Sequence, residues 1–197
     1  MANLRNEVVI YDFETLSQDT ENGIVVSFAA MCYDETRFVD NPYTFEELLE
    51  LTREIKFDIQ EQKEVYGRTV QQSTLDWWMK QGVEAKRALL PSKEDKPISE
   101  LYDFCLGVCK KPKAVYARGN TFDPLFVTGI TKATGKPEPW DWWLVRDTRS
   151  FIEGATIGCD VKNDFTPPGC EGFIHHNPSH DIVIDVMRMQ YIINKLL

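Results

Sequence analysis

EVVIYDFE, residues 7–14, is the stretch on which the reading of this chain turns. Residues 7 to 12 form an apolar, β-branched run that predicts a strand. The run ends on Asp12, and Glu14 follows two positions later. Side chains two apart in a strand share a face, so a strand ending here presents both carboxylates together. Oxygen ligands on one face suit hard divalent cations such as Mg2+ or Mn2+. Two solvated acids at a strand end would read the same way when taken alone.

Working outward, VVSFAAMCYD at 25–34 predicts a second strand, and TRFVD at 36–40 a third, which makes the opening a β-meander. From Phe45 to Gln81 the text turns helical: FEELLELTREI, a polar connection, then Thr74 to Gln81 with Leu75, Trp78 and Met79. The charged segment 83–96, with Pro91 and Ser92, predicts a surface loop, and 98–110 carries a helical stripe. After Pro112, KAVYARG predicts a short strand beside the first, followed by a helix through Leu125 to Ala133 that Gly135 ends. WWLVRDT at 142–148 reads as a strand and 153–172 as loop. The last segment, Pro178 to Leu197, is an amphipathic helix with Ile182, Val186, Met189, Ile193 and Leu196 on one face. A β-rich start followed by alternating helices and strands is an α/β pattern with a mixed central sheet flanked by helices. At 197 residues the length fits one domain, residues 1–197, better than two.

Composition narrows the class. No apolar run approaches the ~20 residues that span a bilayer, and the five cysteines lack the paired spacing of structural zinc. A soluble, cytoplasmic protein with reduced thiols is expected, in the host cytoplasm if the chain is phage-encoded. A net charge of −9 argues against a protein that coats nucleic acid by neutralising many phosphates. Carboxylates gathered around metal would themselves be acidic, so a nuclease remains compatible with that charge.

Two further motifs carry chemistry. In ARGNTFDPLFV, 117–127, Asp123 follows a strand and a Gly119-Asn120 turn; standing before Pro124, it also reads as a helix N-cap. In HHNPSHD, 175–181, Asn177 and Pro178 read as N-cap and first helical residue, which puts His176 just outside the helix and Asp181 near its first turn. A histidine beside activated water is a candidate general base, because its ordinary pKa lies near neutrality. Three clustered histidines, His175, His176 and His180, also read as a surface tract or an adventitious metal site.

The ordered set YDFET at 11–15, NTFDP at 120–124 and HNPSHD at 176–181 resembles the DnaQ-like DEDDh 3′-to-5′ exonucleases, over nearly the whole chain. EQKEVYGRTVQQSTLDWWMKQ and the later RDTRS look most like phage exonucleases of the DexA kind and related bacterial exoribonucleases. Asn177 stands where the tyrosine variant of the class has its tyrosine, and Pro178 replaces the family's small alanine. The resemblance implies a ribonuclease-H-like fold, with Asp12, Glu14, Asp123 and Asp181 as metal ligands and His176 as base. Two ions, Mg2+ or Mn2+, would hold the scissile phosphate, with Asp12 bridging them and a 5′-mononucleotide as product. The implied substrate is the 3′ end of single-stranded DNA or RNA, DNA slightly favoured. The alternatives are an exoribonuclease of the same class and a non-catalytic nucleic-acid-binding module with this fold.

Trp77 and Trp78 are candidate stacking platforms for bases, but adjacent helical residues diverge, so at most one faces the strand while the other is core. Arg118 and Arg149, with Arg68, are candidate phosphate contacts that also read as solvated arginines. Asp147 is assigned to fold support, and Asp185 to a helix face or to contacts behind the ligands.

Overall fold

In the computed structural model, which describes residues 6–87, 89–159 and 162–195, the opening strand outruns its apolar text. Strand β1 spans Glu7–Thr15 and is followed by β2 (Val25–Asp34), α1 (Arg37–Asp40), α2 (Phe45–Leu51), β3 (Arg53–Lys56), α3 (Ile59–Tyr66), α4 (Gln72–Trp78) and α5 (Val83–Arg87). A 3-10 turn at Ile98–Glu100 leads into α6 (Leu101–Val108), then β4 (Val115–Ala117) and α7 (Asp123–Thr134). A second turn, Trp142–Leu144, precedes β5 (Val145–Asp147), α8 (Thr148–Ala155) and α9 (Pro178–Lys195). The sheet order is β3-β2-β1-β4-β5. The meander pairs are antiparallel, and β4 and β5 join in parallel. This is the mixed sheet flanked by helices that the α/β pattern predicts.

Strand alternation sorts the core into two layers. Val8 and Ile10 point into one with Phe45 and Leu48 of α2, Ile152 of α8 and the apolar residues of α9. Val9, Tyr11 and Phe13 point into the other with Leu101 of α6 and Phe126 and Ile130 of α7. By the same parity Asp12 and Glu14 belong to the α9 side of the sheet. Helix α9 is buried on more than the predicted stripe: Val183, Ile184 and Ile192 are inaccessible as well, because α1, α2 and α8 pack around it. Leu196 lies outside the described residues.

Four local expectations are corrected. TRFVD is a turn and the short helix α1, in which only Phe38 is buried. The N–H and hydroxyl of Thr36 both donate to the Asp34 carboxylate, which closes β2 before a third strand can start. That third strand is β3, cut from text that reads as helix. Helix α2 carries a Thr44–Glu47 capping box and stops at Thr52, whose extended backbone delivers Arg53–Lys56 to the free edge of β2. Within 83–96 the chain forms α5, and the 142–148 strand shrinks to three residues because Asp147 caps the unforeseen helix α8 through the Arg149 N–H. The α7 stop behaves as predicted: Gly135 takes φ 69, the left-handed conformation that glycine adopts without penalty.

Candidate active site

Asp12 and Glu14 close the α9 side of β1, and the first turn of α9 lays Asp181 over them. One carboxylate oxygen from each of the three lies within 4.8 Å of the others. Burial is the largest influence on Asp12 and Glu14 and raises both pKa values well above the carboxylate range. Asp123, Glu14, Asp181 and Asp185 repel Asp12 further, and Asp181, Asp123 and Glu54 repel Glu14. These main influences all act in one direction, so Asp12 and Glu14 lack the countercharge that a bound cation would supply. Its donor set is oxygen only, which fits a hard divalent ion. The buried Ser27 hydroxyl, paired in register with Glu14, has no hydrogen-bond partner among the described residues.

Asp123 approaches from the other layer. It is the first residue of α7, with Phe122 as N-cap, so the capping alternative is not the geometry found. Its Oδ1 instead accepts the Phe13 backbone N–H at 3.3 Å, between the two acids of β1. Burial pushes its pKa up to about 7 against the opposing pull of that N–H, its own N–H and Arg149. Asp181 is likewise pushed to about 7, by burial first and Asp185 second, against Arg188, the His176 N–H and Arg118. Asp123 interacts electrostatically with Asp12 and Glu14 while lying outside the group of three close oxygens.

The α9 entrance forms as predicted, with Asn177 Oδ1 accepting the His180 N–H at 3.0 Å. His176 just before it has φ 60, the single positive φ outside glycine among the described residues. Such a conformation costs on the order of 1–3 kcal/mol in a non-glycine residue and persists where surroundings enforce it. Here it sends the N–H to Asp181 and the ring edge-to-face against Trp77, centroids 4.7 Å apart. Burial, then His175, holds the His176 pKa below the ordinary imidazole value. His180 is turned away: it packs on Phe45 and accepts the Ile174 N–H.

The two tryptophans of α4 divide as adjacent helical residues must. Trp78 is 1% exposed, and its Nε1 donates to the Thr15 carbonyl at 2.9 Å, which makes it core. Trp77 is 41% exposed and lines a cavity of about 340 Å3 with Phe13, Glu14, Thr74 and Phe122. The Thr74 hydroxyl is without a partner among the described residues.

The arginines separate too. Arg68 is buried and clamps the 19–23 loop by donating to the Gly23 and Glu21 carbonyls, so it is not a phosphate contact. Arg118 donates to Asp185 Oδ1 at 2.5 Å, and Arg149 lies close enough to Asp123 to lower its pKa. Asp185 also accepts from Thr148 Oγ1 and Arg188 Nη1, behind the acidic trio. Asp147 holds the Gly119, Arg149 and Ser150 donors, as its fold-support assignment requires.

Glu54 was missed. It pairs in register with Ala29, which pairs in turn with Asp12, so a small residue separates two acids across three strands. Its carboxylate accepts from Ser179 Oγ at the start of α9. Strand alternation in TREIK would have exposed it, but that text reads as helix.

Comparison with known proteins bears on the family and the fold. The chain is 31% identical to the exodeoxyribonuclease of Enterobacteria phage T4 over 92% of its own length and 87% of the relative. Its fold is similar to E. coli exonuclease I, solved in complex with a dA16 oligonucleotide, at a TM-score of 0.63 and 13% identity. That match covers 97% of this chain but only 42% of exonuclease I. It is also similar to cell-death related nuclease 4, at a TM-score of 0.60 and 15% identity over 95% of this chain and 64% of the other. The sequence profile of the 3′-5′ exoribonuclease Rv2179c-like domain matches residues 7–193, and activity in that family depends on divalent metal. The chain therefore belongs to the 3′-5′ exoribonuclease Rv2179c-like domain family and is a 3′-to-5′ exonuclease of nucleic acid.

Proposed function

We propose that Asp12, Glu14, Asp123 and Asp181 hold divalent metal, Mg2+ or Mn2+, and that His176 is the general base for hydrolysis of the terminal phosphodiester. The observation that carries this reading is the uncompensated trio Asp12, Glu14 and Asp181 beside the Trp77 cavity. Bound metal would acidify the attacking water and stabilise charge on the phosphate. The chain's own groups do the rest. Neutral His176 accepts the water's proton on a ring nitrogen, favoured by a lowered pKa. Trp77 stacks on the last base, Trp78 fixes the ring beside it, and Arg149 attracts the phosphate backbone. Arg118 acts by holding Asp185 rather than by reaching substrate.

The preferred substrate is single-stranded DNA with a free 3′ end, favoured by the phage exodeoxyribonuclease relative. RNA is the second reading, favoured by the family's exoribonuclease description. The whole of 1–197 acts as one exonuclease domain, consistent with the 7–193 match, in a cytoplasm that is the host's if the chain is phage-encoded. No helix among the described residues is long and apolar enough to cross a membrane.

Labelled single-stranded DNA and RNA, assayed side by side with Mg2+ or Mn2+, test this reading. Release of 5′-mononucleotides from free 3′ ends, with closed circles left uncut, is the expected result. Nicking of circles would replace it with an endonuclease.

A further inference from the structure

At the opposite end of β1, and on its opposite face, a second group of ligands converges. Glu7 lies two residues before Val9, and Cys32 of β2 pairs with Val9 in register. Strand parity therefore puts Glu7 and Cys32 on the α6 side. The residue that caps the end of α6 is Cys109. A carboxylate oxygen of Glu7 and the sulfurs of Cys32 and Cys109 all lie within 4.8 Å of one another.

The backbones that carry these groups are held from three directions. The Glu7 carbonyl accepts the Lys113 N–H at 2.8 Å. The Cys109 N–H donates to the Cys105 carbonyl, and the Cys109 carbonyl accepts Trp140 Nε1 at 2.8 Å. Cys32 sits within the β1–β2 ladder. Cys109 is buried, Cys32 is half-buried and Glu7 is exposed, so the group opens to solvent on its carboxylate side. Residue spacing along the strand separates Glu7 from Asp12 by about 17 Å, far beyond any shared ligand.

We propose that Glu7, Cys32 and Cys109 form a second cation site, selective for a soft divalent ion such as Zn2+. Two sulfurs and one carboxylate make three of the four ligands of a tetrahedral centre, with water as the fourth. Thiolate ligands favour zinc over the hard ions that suit the acidic trio, so one strand carries two sites of different taste at its two ends. Burial, and then the Cys109 thiol, pushes the Cys32 thiol up to about 12, so Cys32 is protonated when the site is empty. Binding is therefore an exchange: two thiols and one carboxylate take up M2+, two S–H bonds break, two metal–sulfur bonds form, and two protons leave to solvent. No oxidant is involved. The ion would tie the end of α6 to β1 and β2.

The test uses the reduced, metal-free full chain titrated with Cd2+. Thiolate-to-cadmium charge transfer gives an ultraviolet band that the catalytic carboxylates cannot produce. The expected result is a band that saturates at one ion per chain, with proton release, and is lost in both Cys32→Ser and Cys109→Ser. Glu7→Gln, at an exposed position, should keep the fold and shift the titration to higher Cd2+. Exonuclease activity with Mg2+ should be unchanged in Cys32→Ser. A band that survives both cysteine substitutions assigns the thiolates elsewhere and overturns the proposal. So does the absence of a band, or loss of the two thiols to a disulfide in air.

Discussion

Asp181 and Asp185 stand one turn apart on the same helix, the first half-buried and the second buried, yet they live in opposite electrostatic worlds. Asp185 is 2% exposed and answered by Arg118, Arg188 and the Thr148 hydroxyl. Asp181 faces Asp12 and Glu14, and burial outweighs the help it receives from Arg188, the His176 N–H and Arg118. A satisfied buried acid is architecture. A trio of carboxylates with less countercharge than their burial demands is stored affinity for a cation, and the same fold pays for both. The difference can be broken from either side.

The largest effect should come from the trio. Asp12→Ala should abolish metal-dependent hydrolysis with the fold intact, and wild-type rates in that variant would remove Asp12 from the site. Asp12→Asn should also raise the melting temperature of the metal-free protein near neutral pH, because folding then no longer opposes ionisation of a carboxyl by burial and four neighbouring acids.

His176→Ala should lower kcat by about 10²- to 10⁴-fold with metal binding largely kept. Because the His176 pKa is lowered, the acid limb of wild-type activity should fall through a single group below about 6.5. Should His175→Ala or His180→Ala be the crippling change instead, the base is misassigned.

Asp185→Ala should behave in the reverse sense to Asp12→Asn. Leaving Arg118 and Arg188 without their shared partner should cost on the order of 3–5 kcal/mol in denaturant unfolding. An unchanged midpoint would show that the pair does not support the fold.

Dependence on pH probes the acidic site without mutation. Asp123 and Asp181 titrate at about 7 in the folded, metal-free protein, against about 3.9 in an unfolded chain. The folded state binds their protons more tightly, so that stability is fully present below about pH 4 and is lost as pH rises through about 7. Melting temperature without metal should therefore fall as pH rises across this window, and Mg2+ or Mn2+ should offset the loss at the alkaline end. A flat profile would mean that burial does not raise the Asp123 and Asp181 carboxyls.

The smallest effect concerns the tryptophan beside His176. Trp77→Ala should weaken binding of single-stranded ends by ~1–3 kcal/mol, raising KM more than it lowers kcat. Trp78→Ala should instead destabilise the protein by roughly 3–5 kcal/mol. Two destabilised variants with unchanged KM would leave both rings as core.

Much of this was legible in one dimension. The period of two places Asp12 and Glu14 on one face wherever EVVIYDFE becomes a strand, and Asn177-Pro178 starts a helix whatever packs on it. Those signals depend on neighbours a few residues away. Three outcomes needed the tertiary structure. Edge pairing with β2 drew Arg53–Lys56 out of helical text and set Glu54 in a row with Asp12. Of the two tryptophans, the carbonyl of Thr15, 63 residues away, decided which was buried. Arg68 became a loop clamp and Arg118 an ion-pair partner because distant carbonyls and Asp185 met them. Burial and countercharge are properties of what the chain brings alongside a residue, so local pattern named the acids while packing alone decided which were left uncompensated.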